Sequence, residues 1–588
     1  MTDDNASPQL VWADDGSPRS GRFGDVYFSK DDGLAETRAV FLGGCDMPAV
    51  WQDRTRFTVG ELGFGTGLNI IALIDLWRQH RPSHGQLHVF TVEGYPLTRE
   101  EAARALAAWP DVAETAAALL DQWPTKHPGF HRIDLPQWGV TLDIAVGEVE
   151  WALTQWSGQA DAWFLDGFSP ALNPGMWSEE IMAAVATRSA PGCHLATFTV
   201  AGAVRRALAS NGFTVEKKPG HGRKRERLEA RMAGTTVAVV QPRVAVIGAG
   251  IAAASTVRAL KAAGLNPTVI EADHAGAGGS GFPASLVTPR MDAGDDFIAG
   301  LYAQCLERAG QLYGQVDGAI LSRGVVQLEH MARDGARFDK IAAQPLWPDN
   351  TMRRLTPSEA SALIGEPVPH GGLHMRSAFA LSPRHVLADW LADTPMITAK
   401  VARLERTVNG WDLRDEDEQI IIHADHVVVA AGWGTSTLLP DLALSPVAGQ
   451  ADWAEQDGPS PTAVAWGGYS VPTPQGLLYG ATHDRGVTAP SPSDAASDKN
   501  LNTLSQTLPA RAAAIADAPR HRRTAVRATT PDRLPLCGTA REGLHVLTGM
   551  GSRGFCASPL LGEHIAALVS GAPSPLPYDW ATKLSPRF

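Results

Sequence analysis

The sequence predicts an α/β protein made of two consecutive Rossmann-like domains. Its 588 residues are too many for a single hydrophobic core, so more than one domain is expected. A glycine-rich turn joins an apolar strand to a helix twice, at 63–67 and at 248–253. The strand after each turn ends in an acidic residue, which is the arrangement of nucleotide-binding sheets. We predict that the domains span residues 1–238 and 239–588.

The bulk composition restricts the possible partners and compartments. A net charge of −12 excludes a generally basic surface for nucleic acids, although a local basic patch is compatible with it. Five cysteines are scattered without metal-ligand spacing, which predicts reduced thiols and no metal site. The acidic, polar start is unlike a signal peptide, and no apolar run is long enough to span a bilayer. We expect a soluble cytoplasmic protein without a membrane segment, and a monomer is favoured.

The first glycine-rich turn lies in FTVGELGFGTGLNIIALIDLW (57–77), between a short strand and a helix. Its glycines have GxGxG spacing with an acid before them, and the next strand, LHVFTVE, ends in an acid that can bind ribose hydroxyls. This pattern favours S-adenosylmethionine over a dinucleotide. S-adenosylmethionine has no phosphate to place at a helix N-terminus, whereas a dinucleotide does. A tight turn in an unrelated α/β fold is the alternative. The predicted cofactor-binding residues are Glu61, Gly63, Gly65, Gly67 and Glu93.

The stretch FLDGFSPALNPGMW (164–177) carries the predicted chemistry of this half. Asp166 ends an apolar strand at the carboxyl edge of the sheet, where α/β proteins place reacting groups. The following loop resembles the proline-aromatic loop with which several amine methyltransferases hold a target nitrogen. A carboxylate there can hold the amine and take its proton during methyl transfer, whereas a helix N-cap is the alternative role for Asp166. The predicted substrate contacts of the loop are Phe168, Asn173 and Trp177.

The second glycine-rich turn, in VAVIGAGIAAA (244–254), matches GxGxxG/A, and an acidic strand end follows about 20 residues later. Three later segments favour FAD over NAD. They are a glycine-rich stretch at 276–290, a strand in 424–436 that returns to the nucleotide sheet, and a strand, glycine turn and helix within 532–571. The segment within 532–571 can direct backbone N–H groups and a helix N-terminus at the flavin. The predicted FAD-binding residues are Gly248, Gly250, Ala253, Glu271, Gly549, Gly551 and Gly554.

The C-terminal half resembles the D-amino-acid and glycine oxidase family. Enzymes of that family remove a hydride from a carbon beside an amine, and water hydrolyses the imine that forms. Their flavin carries the chemistry, while the protein orients the substrate, often by clamping a carboxylate with arginine. The resemblance points to Arg527 and Arg553 as catalytic-site arginines, and a structural ion pair is the alternative for each.

Basic residues are concentrated near the join between the two halves. Seven Lys or Arg fall within 217–231 of a chain that is acidic overall. One interpretation is a strip that contacts phosphates through Arg223, Lys224 and Arg225, if the substrate is a nucleic acid. A solvated hairpin at the end of the first sheet is the other interpretation. A second basic cluster lies at 520–533.

Four segments together resemble the MnmC family of bifunctional tRNA-modification proteins, and the resemblance spans nearly the whole chain. They are DVYFSKDDGLAETRAVFLGG (25–44), ELGFGTGLN, WFLDGFSPALNPGMW and GHGRKRE. The resemblance implies a Rossmann-like class I methyltransferase domain over residues 1–238. For residues 239–588 it implies an FAD-binding Rossmann domain of the glycine and D-amino-acid oxidase type, with an inserted mixed-sheet substrate domain.

The family resemblance also implies a reaction and a partner, the wobble uridine of certain tRNAs. The flavin half would oxidise the C–N bond of a carboxymethylaminomethyl group and release glyoxylate, which leaves a primary amine. The N-terminal half would then methylate that amine with S-adenosylmethionine. One alternative is a small-molecule amine oxidase fused to an N-methyltransferase, without RNA. A tRNA-binding scaffold with vestigial sites is another, which the presence of Asp166, Glu93 and Glu271 disfavours.

Overall fold

The chain folds into two compact units. One unit comprises Met1–Val240 with Ala572–Asp579, and the other comprises Gln241–Gly571 with Trp580–Phe588. The predicted boundary between 238 and 239 falls within 236–240, which lies outside the described residues. The structure is a computed structural model that describes residues 8–14, 16–28, 32–222, 224–235, 241–348, 350–456 and 461–587.

A short segment near the C-terminus, 572–579, packs with the first unit. Arg132 Nη2 donates a hydrogen bond to the carbonyl oxygen of Pro573 (3.3 Å). The side chains of Gln155 and Asp579 are joined by a 3.0 Å hydrogen bond, and the backbone N–H of Asp579 donates to the Gln155 amide oxygen at 3.0 Å. Because these partners are far apart in the chain, no local sequence pattern predicts where this segment packs.

The first unit is built on one large mixed sheet. Within the described residues this sheet has eight strands in the order β5-β6-β4-β3-β7-β8-β10-β9, and β1 and β2 form a separate pair. The strands are β1 (Leu10–Trp12), β2 (Pro18–Ser20), β3 (Arg56–Leu62), β4 (Gln86–Glu93), β5 (Gly129–Leu135), β6 (Val140–Val146), β7 (Ala160–Leu165), β8 (Ser189–Thr197), β9 (Phe213–Pro219) and β10 (Glu226–Met232). The helices are α1 (Gly33–Thr37), α2 (Leu68–His80), α3 (Arg99–Leu106), α4 (Ala113–Leu120), α5 (Val149–Gln155), α6 (Glu179–Thr187) and α7 (Gly202–Ser210).

The three central strands, β3, β4 and β7, place the functional residues of this unit at one edge. They are parallel, with Leu62 of β3 in register with Val92 of β4 and Leu165 of β7. Their side chains are almost all buried, as expected for parallel strands covered on both faces. Because the carboxyl ends lie side by side, the first glycine turn, Glu93 and Asp166 meet at the same edge.

The second unit contains a mostly parallel nucleotide-type sheet, with β28 antiparallel at one edge, and a larger mixed sheet. Within the described residues, the first has the order β17-β12-β11-β21-β29-β28, and the second has ten strands. The strands are β11 (Val244–Ile247), β12 (Thr268–Glu271), β13 (Ser285–Val287), β14 (Ile320–Leu328), β15 (Met352–Leu355), β16 (Gly372–Leu381), β17 (Met396–Thr398), β18 (Arg403–Thr407), β19 (Gly410–Arg414), β20 (Ile420–Ala424), β21 (His426–Val429), β22 (Ser445–Glu455), β23 (Ala463–Ala465), β24 (Tyr469–Thr473), β25 (Gly476–Gly480), β26 (Asp484–Arg485), β27 (Arg520–Thr529), β28 (Leu536–Arg541) and β29 (Leu544–Thr548).

The helices that follow in the chain complete this unit. They are α8 (Ile251–Ala262), α9 (Asp296–Tyr313), α10 (Asp334–Ala342), α11 (Pro357–Ile364), α12 (Pro383–Leu391), α13 (Thr435–Leu438), α14 (Asp494–Thr507), α15 (Pro509–Ala514) and α16 (Gly554–Ser570), together with the part of α17 (Tyr578–Leu584) that follows Asp579. The prediction that a strand within 424–436 returns to the nucleotide sheet is confirmed, because β21 pairs in parallel with β11. β29 pairs with β21 in turn, and α16 follows the glycine turn after it, as predicted for 532–571.

Two stacked histidines in this sheet should make the stability of the second unit depend on pH. His426 Nδ1 lies 3.0 Å from His545 Nε2, and the rings stack with centroids 5.3 Å apart. Burial, with the charges of His426 and His564 nearby, lowers the pKa of His545 to about 3, and burial also lowers the pKa of His426. Unfolded histidine titrates near 6.5, so between about pH 6.5 and 3 the unfolded chain binds more protons than the folded one. Stability of the second unit should therefore fall as the pH drops through this window.

The test compares thermal unfolding of the parent and of His545→Gln at pH 5 and pH 7. Each histidine kept neutral by folding contributes a slope of about 1.4 kcal/mol per pH unit. The variant should lose that contribution, so its melting temperature should change less between the two pH values. An identical pH dependence in parent and variant would contradict this role for His545.

Candidate active sites

The first unit has a large cavity at the carboxyl edge of its sheet. The cavity has a volume of about 1070 Å³. The glycine turn after β3, the end of β4, the loop after β7 and residues from 19–37 line it. Of the residues predicted from the sequence, it brings together Gly63, Gly65, Glu93, Asp166, Phe168, Asn173 and Lys224.

The glycine turn and the end of β4 form one wall of this cavity. Gly63 has φ +95°, and a Cβ there would lie 2.6 Å from the carbonyl oxygen of Asp166, so only glycine fits. The Glu93 carboxylate accepts the backbone N–H groups of Gly65 and Tyr95, each at 2.8 Å. Burial raises the pKa of Glu93. These contacts fix the carboxylate at the wall, where its remaining lone pairs can accept hydrogen bonds from ribose hydroxyls.

Asn69, in the first turn of α2, connects two carboxylates. Its amide nitrogen donates to Asp166 Oδ2 (2.7 Å) and to Glu61 Oε1 (3.1 Å). Its amide oxygen accepts the hydroxyl of Thr37 at 2.7 Å. Because these bonds engage both ends of the amide, its orientation is fixed and it holds the Asp166 carboxylate in place.

Asp166 has the acidity that suits a proton acceptor. Burial raises the pKa of Asp166 to about 6, while hydrogen bonds from Asn69 and from the Gly167 backbone lower it. A carboxylate with this pKa is ionised at neutral pH and still takes up a proton readily. The alternative role as a helix N-cap is wrong, because Ser178 caps α6, the first α-helix after β7.

Three aromatic rings in contact line the same cavity as Asp166, and two of them come from residues that sequence reasoning did not select. The Phe168 ring stacks on Phe23 with centroids 4.9 Å apart and meets Tyr27 edge-on at 5.3 Å. Burial raises the pKa of the Tyr27 phenol, so that group is neutral at physiological pH. The segment DVYF carried part of the family resemblance, and that resemblance was the one available signal for Tyr27.

Three residues predicted at the glycine turn and in the loop after β7 lie outside the cavity lining. Glu61 is fully buried, and its carboxylate accepts hydrogen bonds from Asn69 and from Thr91 (2.6 Å), so its predicted direct contact with the cofactor is wrong. Gly67 is the N-cap residue of α2, and its φ of +79° is a backbone conformation that favours glycine. Trp177 is 7% exposed, and its indole N–H donates to the carbonyl of Phe168 (2.9 Å), so in this structure it supports the loop.

The basic strip divides into a cavity residue and a hairpin whose charges are largely paired. Lys224 Nζ lies 2.7 Å from Glu36 Oε1 and 4.3 Å from the centroid of the Phe198 ring, at the cavity wall, and its contact with a phosphate stays a prediction. Arg225 is exposed, and Arg223 lies outside the described residues. The other basic side chains in 217–231 form the ion pairs Lys217–Glu226, Lys218–Glu216, Arg227–Glu229 and Arg231–Asp46. These pairs favour the solvated-hairpin interpretation.

The second unit has its own cavity, of about 710 Å³, above the second glycine turn. Gly248 has φ +106°, and a Cβ there would lie 2.7 Å from the carbonyl oxygen of Ala430. Glu271 accepts the backbone N–H of Ala249 at 2.7 Å, which fixes its carboxylate at the end of β12. The N–H of Ile251 donates to the Ser280 hydroxyl (3.0 Å). The predicted residues Gly248, Gly250, Glu271, Gly549, Gly551 and Gly554 all line this cavity.

Ala253 is placed differently from its prediction. It is 0% exposed and lies outside the cavity lining, on the buried side of α8. The third position of this fingerprint serves close helix–sheet packing. Direct contact of Ala253 with the cofactor is therefore wrong, and its small side chain serves the packing of α8.

The two predicted arginines both line the second cavity but differ in their contacts. Among the described residues, the Arg527 guanidinium has no hydrogen bond or ion pair, and a Cβ on Gly449 would lie 2.9 Å from its Nη2. Arg553 lies just before α16 and donates a hydrogen bond to the Thr288 hydroxyl. Burial raises the pKa of the neighbouring cavity residue Tyr469 to about 12. Arg527 is thus a cation in the cavity without a partner among the described residues.

Comparisons with known proteins assign a family to each half of the chain. Residues 110–233 match the family model described as S-adenosyl-L-methionine-dependent methyltransferase, and residues 243–568 match that of the FAD dependent oxidoreductases. A protein of Caulobacter sp. (strain K31) is 51% identical over 100% of this chain and 98% of its own length. It is named tRNA 5-methylaminomethyl-2-thiouridine biosynthesis bifunctional protein MnmC. The chain belongs to the MnmC family.

A further MnmC relative supports this assignment, and two solved structures match the fold of the second unit. A Maricaulis maris MnmC is 42% identical over 96% of this chain and 93% of its own length. The glycine oxidase of Geobacillus kaustophilus superposes with a TM-score of 0.52 at 19% identity, covering 59% of this chain and 99% of its own. An iminodiacetate oxidase of Chelativorans sp. BNC1 superposes with a TM-score of 0.50 at 24% identity, and the match covers 58% of this chain and 99% of the oxidase. At such identities these structures show the fold of the second unit alone.

MnmC membership confirms the predicted fold class, and the protein is a bifunctional enzyme with S-adenosylmethionine and FAD as cofactors. Both cavities fit these groups. In the first cavity, the turn that contacts Glu93 presents glycines at 63 and 65, so its backbone is open to a ligand there. In the second cavity, the buried indole N–H of Trp466 has no hydrogen-bond partner among the described residues, so a bound ligand can accept it. Across the described residues, no helix is long and apolar enough to cross a membrane, and no cluster of potential metal ligands is present.

Proposed function

We propose that this protein performs two consecutive steps on the wobble uridine of tRNA. The flavin unit removes the carboxymethyl group of 5-carboxymethylaminomethyl-(2-thio)uridine oxidatively, and the first unit methylates the resulting amine to 5-methylaminomethyl-(2-thio)uridine. The full-length similarity to relatives named for tRNA 5-methylaminomethyl-2-thiouridine biosynthesis carries this proposal. The presence of one cofactor cavity in each unit supports it. We place the reaction in the cytoplasm and take a monomer as the working unit.

The methyl-transfer cavity is suited to a primary amine. S-adenosylmethionine supplies an electrophilic methyl group when it is bound. Asp166 accepts an N–H of the amine and takes the proton that the nitrogen loses as the N–C bond forms. Asn69 keeps that carboxylate in position, and the rings of Phe168 and Tyr27 exclude water beside it. A neutral amine is thereby kept available for attack.

The oxidation cavity is suited to an amine that carries a carboxylate. FAD supplies the two-electron acceptor when it is bound, and Gly248, Ala249 and Glu271 would hold its adenosine and pyrophosphate. Arg527 binds the substrate carboxylate, because it is the cavity arginine without a partner among the described residues. Arg553, hydrogen-bonded to Thr288, supports the wall at the start of α16. The carbon between the carboxylate and the nitrogen is then held inside the cavity.

An anaerobic mixing experiment tests the oxidation step. The flavin absorbance of the holoenzyme should be bleached by tRNA that carries the carboxymethylaminomethyl group, and should stay unchanged with tRNA that lacks it. Bleaching by small carboxylated amines but not by the modified tRNA would contradict the proposal. That result would favour the metabolic amine-oxidase interpretation.

The hydrogen bond from the Asn69 amide to Asp166 should influence the pH dependence of methyl transfer. Since Asp166 must be ionised to accept a proton, kcat/KM should fall about tenfold per pH unit below about pH 6 in the parent. Asn69→Asp removes the hydrogen bond that lowers the Asp166 pKa and adds a like charge, so the acid limb should move up by about one pH unit. Asn211→Asp, outside the cavity, is the matched control. A pH profile of Asn69→Asp that overlays the parent's would contradict this role.

A further inference from the structure

We propose that one face of β27, formed by His521, Arg523 and Arg527 with Trp453 beside it, binds single-stranded RNA next to the modified nucleotide and leads it to the flavin cavity. We call this surface the β27 lane. The proposal rests on the proposed function, since it takes the anticodon loop of the tRNA substrate as the occupant. The lane belongs to the second unit, whereas the paired hairpin at 217–231 belongs to the first.

The lane follows from the alternation of side chains along β27. Residues two apart on a strand lie on the same face, about 6.8 Å from each other. The face that contains His521 and Arg523 therefore ends at Arg527, which lies in the flavin cavity. Exposure changes along the strand in the same direction, since its first three residues are exposed and the later ones half-buried or buried. One face thus runs continuously from solvent into the cavity.

Arg523 lies at the rim of the cavity. Its Nη2 donates to the carbonyl oxygens of Gly276 (3.1 Å) and Ala277 (2.6 Å), and its guanidinium lies 5.9 Å from the Phe282 ring centroid. Both Ala277 and Phe282 line the cavity. These contacts fix a positive charge at the entrance, between the outer end of the lane and Arg527.

The outer end of the lane carries an aromatic platform. Trp453 of β22 lies opposite His521 in the antiparallel register. Their rings stack with centroids 5.6 Å apart and an interplanar angle of 21°. The His521 side chain is 49% exposed, and Glu455 lies 4.0 Å from its Nε2. A half-exposed stack beside arginines is the kind of surface on which unpaired RNA bases stack.

The opposite face of the same strands is already occupied by protein. Asp452, the neighbour of Trp453, is 1% exposed and accepts the Asn500 amide of α14 at 2.7 Å. Arg522, the neighbour of His521, pairs with Asp494 at the start of the same helix. The helix therefore covers that face, and the lane is the face left available to a ligand.

Charge and length both favour RNA as the occupant. The lane face carries the cations Arg523 and Arg527 in a chain of net charge −12, and Arg523 is held at the rim of the cavity, where a polyanion would approach. The distance from Arg527 to His521, six residues along a strand, is about 20 Å. A small carboxylated amine fills the cavity alone and cannot reach the platform, whereas several nucleotides of a loop can.

The test compares two substrates for the oxidation step, the modified tRNA and the free 5-carboxymethylaminomethyluridine nucleoside. Trp453→Ala and His521→Ala should each lower kcat/KM on the tRNA, by about 5-fold to 100-fold for loss of one stacked base, mainly through KM. Neither should change the kinetics on the nucleoside. Trp453→Phe should retain most tRNA activity. His370→Ala, an exposed histidine before β16, is the matched control and should behave as the parent.

The outcomes separate this proposal from the proposed function. If the parent oxidises the modified tRNA and both alanine variants match it, the β27 lane is overturned and the function stands. An equal loss on tRNA and on nucleoside also overturns the lane, because the variants then damage the cavity itself. If the parent leaves the modified tRNA unoxidised, the proposed function fails, and the lane with it.

Discussion

Asp166→Asn should lower the rate of methyl transfer by about 10²–10⁴-fold while S-adenosylmethionine still binds. The amide keeps the shape of the side chain and can still contact the amine, but it cannot take the proton. The large effect is expected because Asp166 is the carboxylate of the cavity whose pKa burial raises to about 6. Single-turnover methylation of tRNA that carries the aminomethyl group measures it, with cofactor binding measured separately by calorimetry.

The same strand offers a matched control for this change. Asp161, near the other end of β7, is held by Arg54 (2.8 Å) and by the backbone N–H of Thr58 (2.9 Å), away from the cavity lining. Asp161→Asn should reduce stability but leave the rate of the folded enzyme within a few-fold of the parent. If Asp166→Asn also stays within a few-fold, Asp166 is not the proton acceptor.

Gly250→Trp should produce a colourless protein that takes up no FAD and has no oxidase activity. Gly250 lines the second cavity, and a Cβ there would already lie 3.2 Å from the Ser280 hydroxyl. A large side chain would occupy the space of the pyrophosphate at the start of α8. Flavin absorbance after reconstitution with added FAD measures the effect.

The control for this change is a glycine with open space around it. A Cβ on Gly294 would meet no atom within 4 Å among the described residues, and Gly294 lies outside the cavity lining, so Gly294→Trp should keep its flavin. Methyl transfer should survive Gly250→Trp, because the methylation site lies in the other unit. A yellow, fully active Gly250→Trp protein would contradict the assignment of the FAD site.

Local patterns were sufficient to predict the parts of both sites that lie in one strand–turn–helix segment. The glycines at 63 and 248 could be predicted because close backbone approach excludes every other residue there. Glu93 and Glu271 could be predicted because the next parallel strand ends at the same edge of the sheet. Asp166 follows the same rule, because β7 pairs in parallel with β3 on the side opposite to β4.

The remaining site residues depend on contacts between distant segments. Tyr27 reaches the loop after β7 from a segment before the sheet begins, and periodicity cannot show such a contact. Asn69 is one polar residue in an apolar helix, and its role is visible only once Asp166 and Glu61 are placed around it. Glu61 was misassigned because adjacency to the glycine turn does not say which face of β3 its side chain lies on.

Mass spectrometry of wobble nucleosides tests the central claim, that one chain performs both steps in order. The substrate is tRNA carrying 5-carboxymethylaminomethyluridine, incubated with the FAD-loaded protein. Without S-adenosylmethionine, the aminomethyl nucleoside should accumulate, and adding the cofactor should convert it to the methylaminomethyl nucleoside. Asp166→Asn should stop at the first product, and Gly250→Trp should leave the starting nucleoside unchanged. A starting nucleoside that persists with the FAD-loaded parent, in the presence or absence of S-adenosylmethionine, would contradict the account.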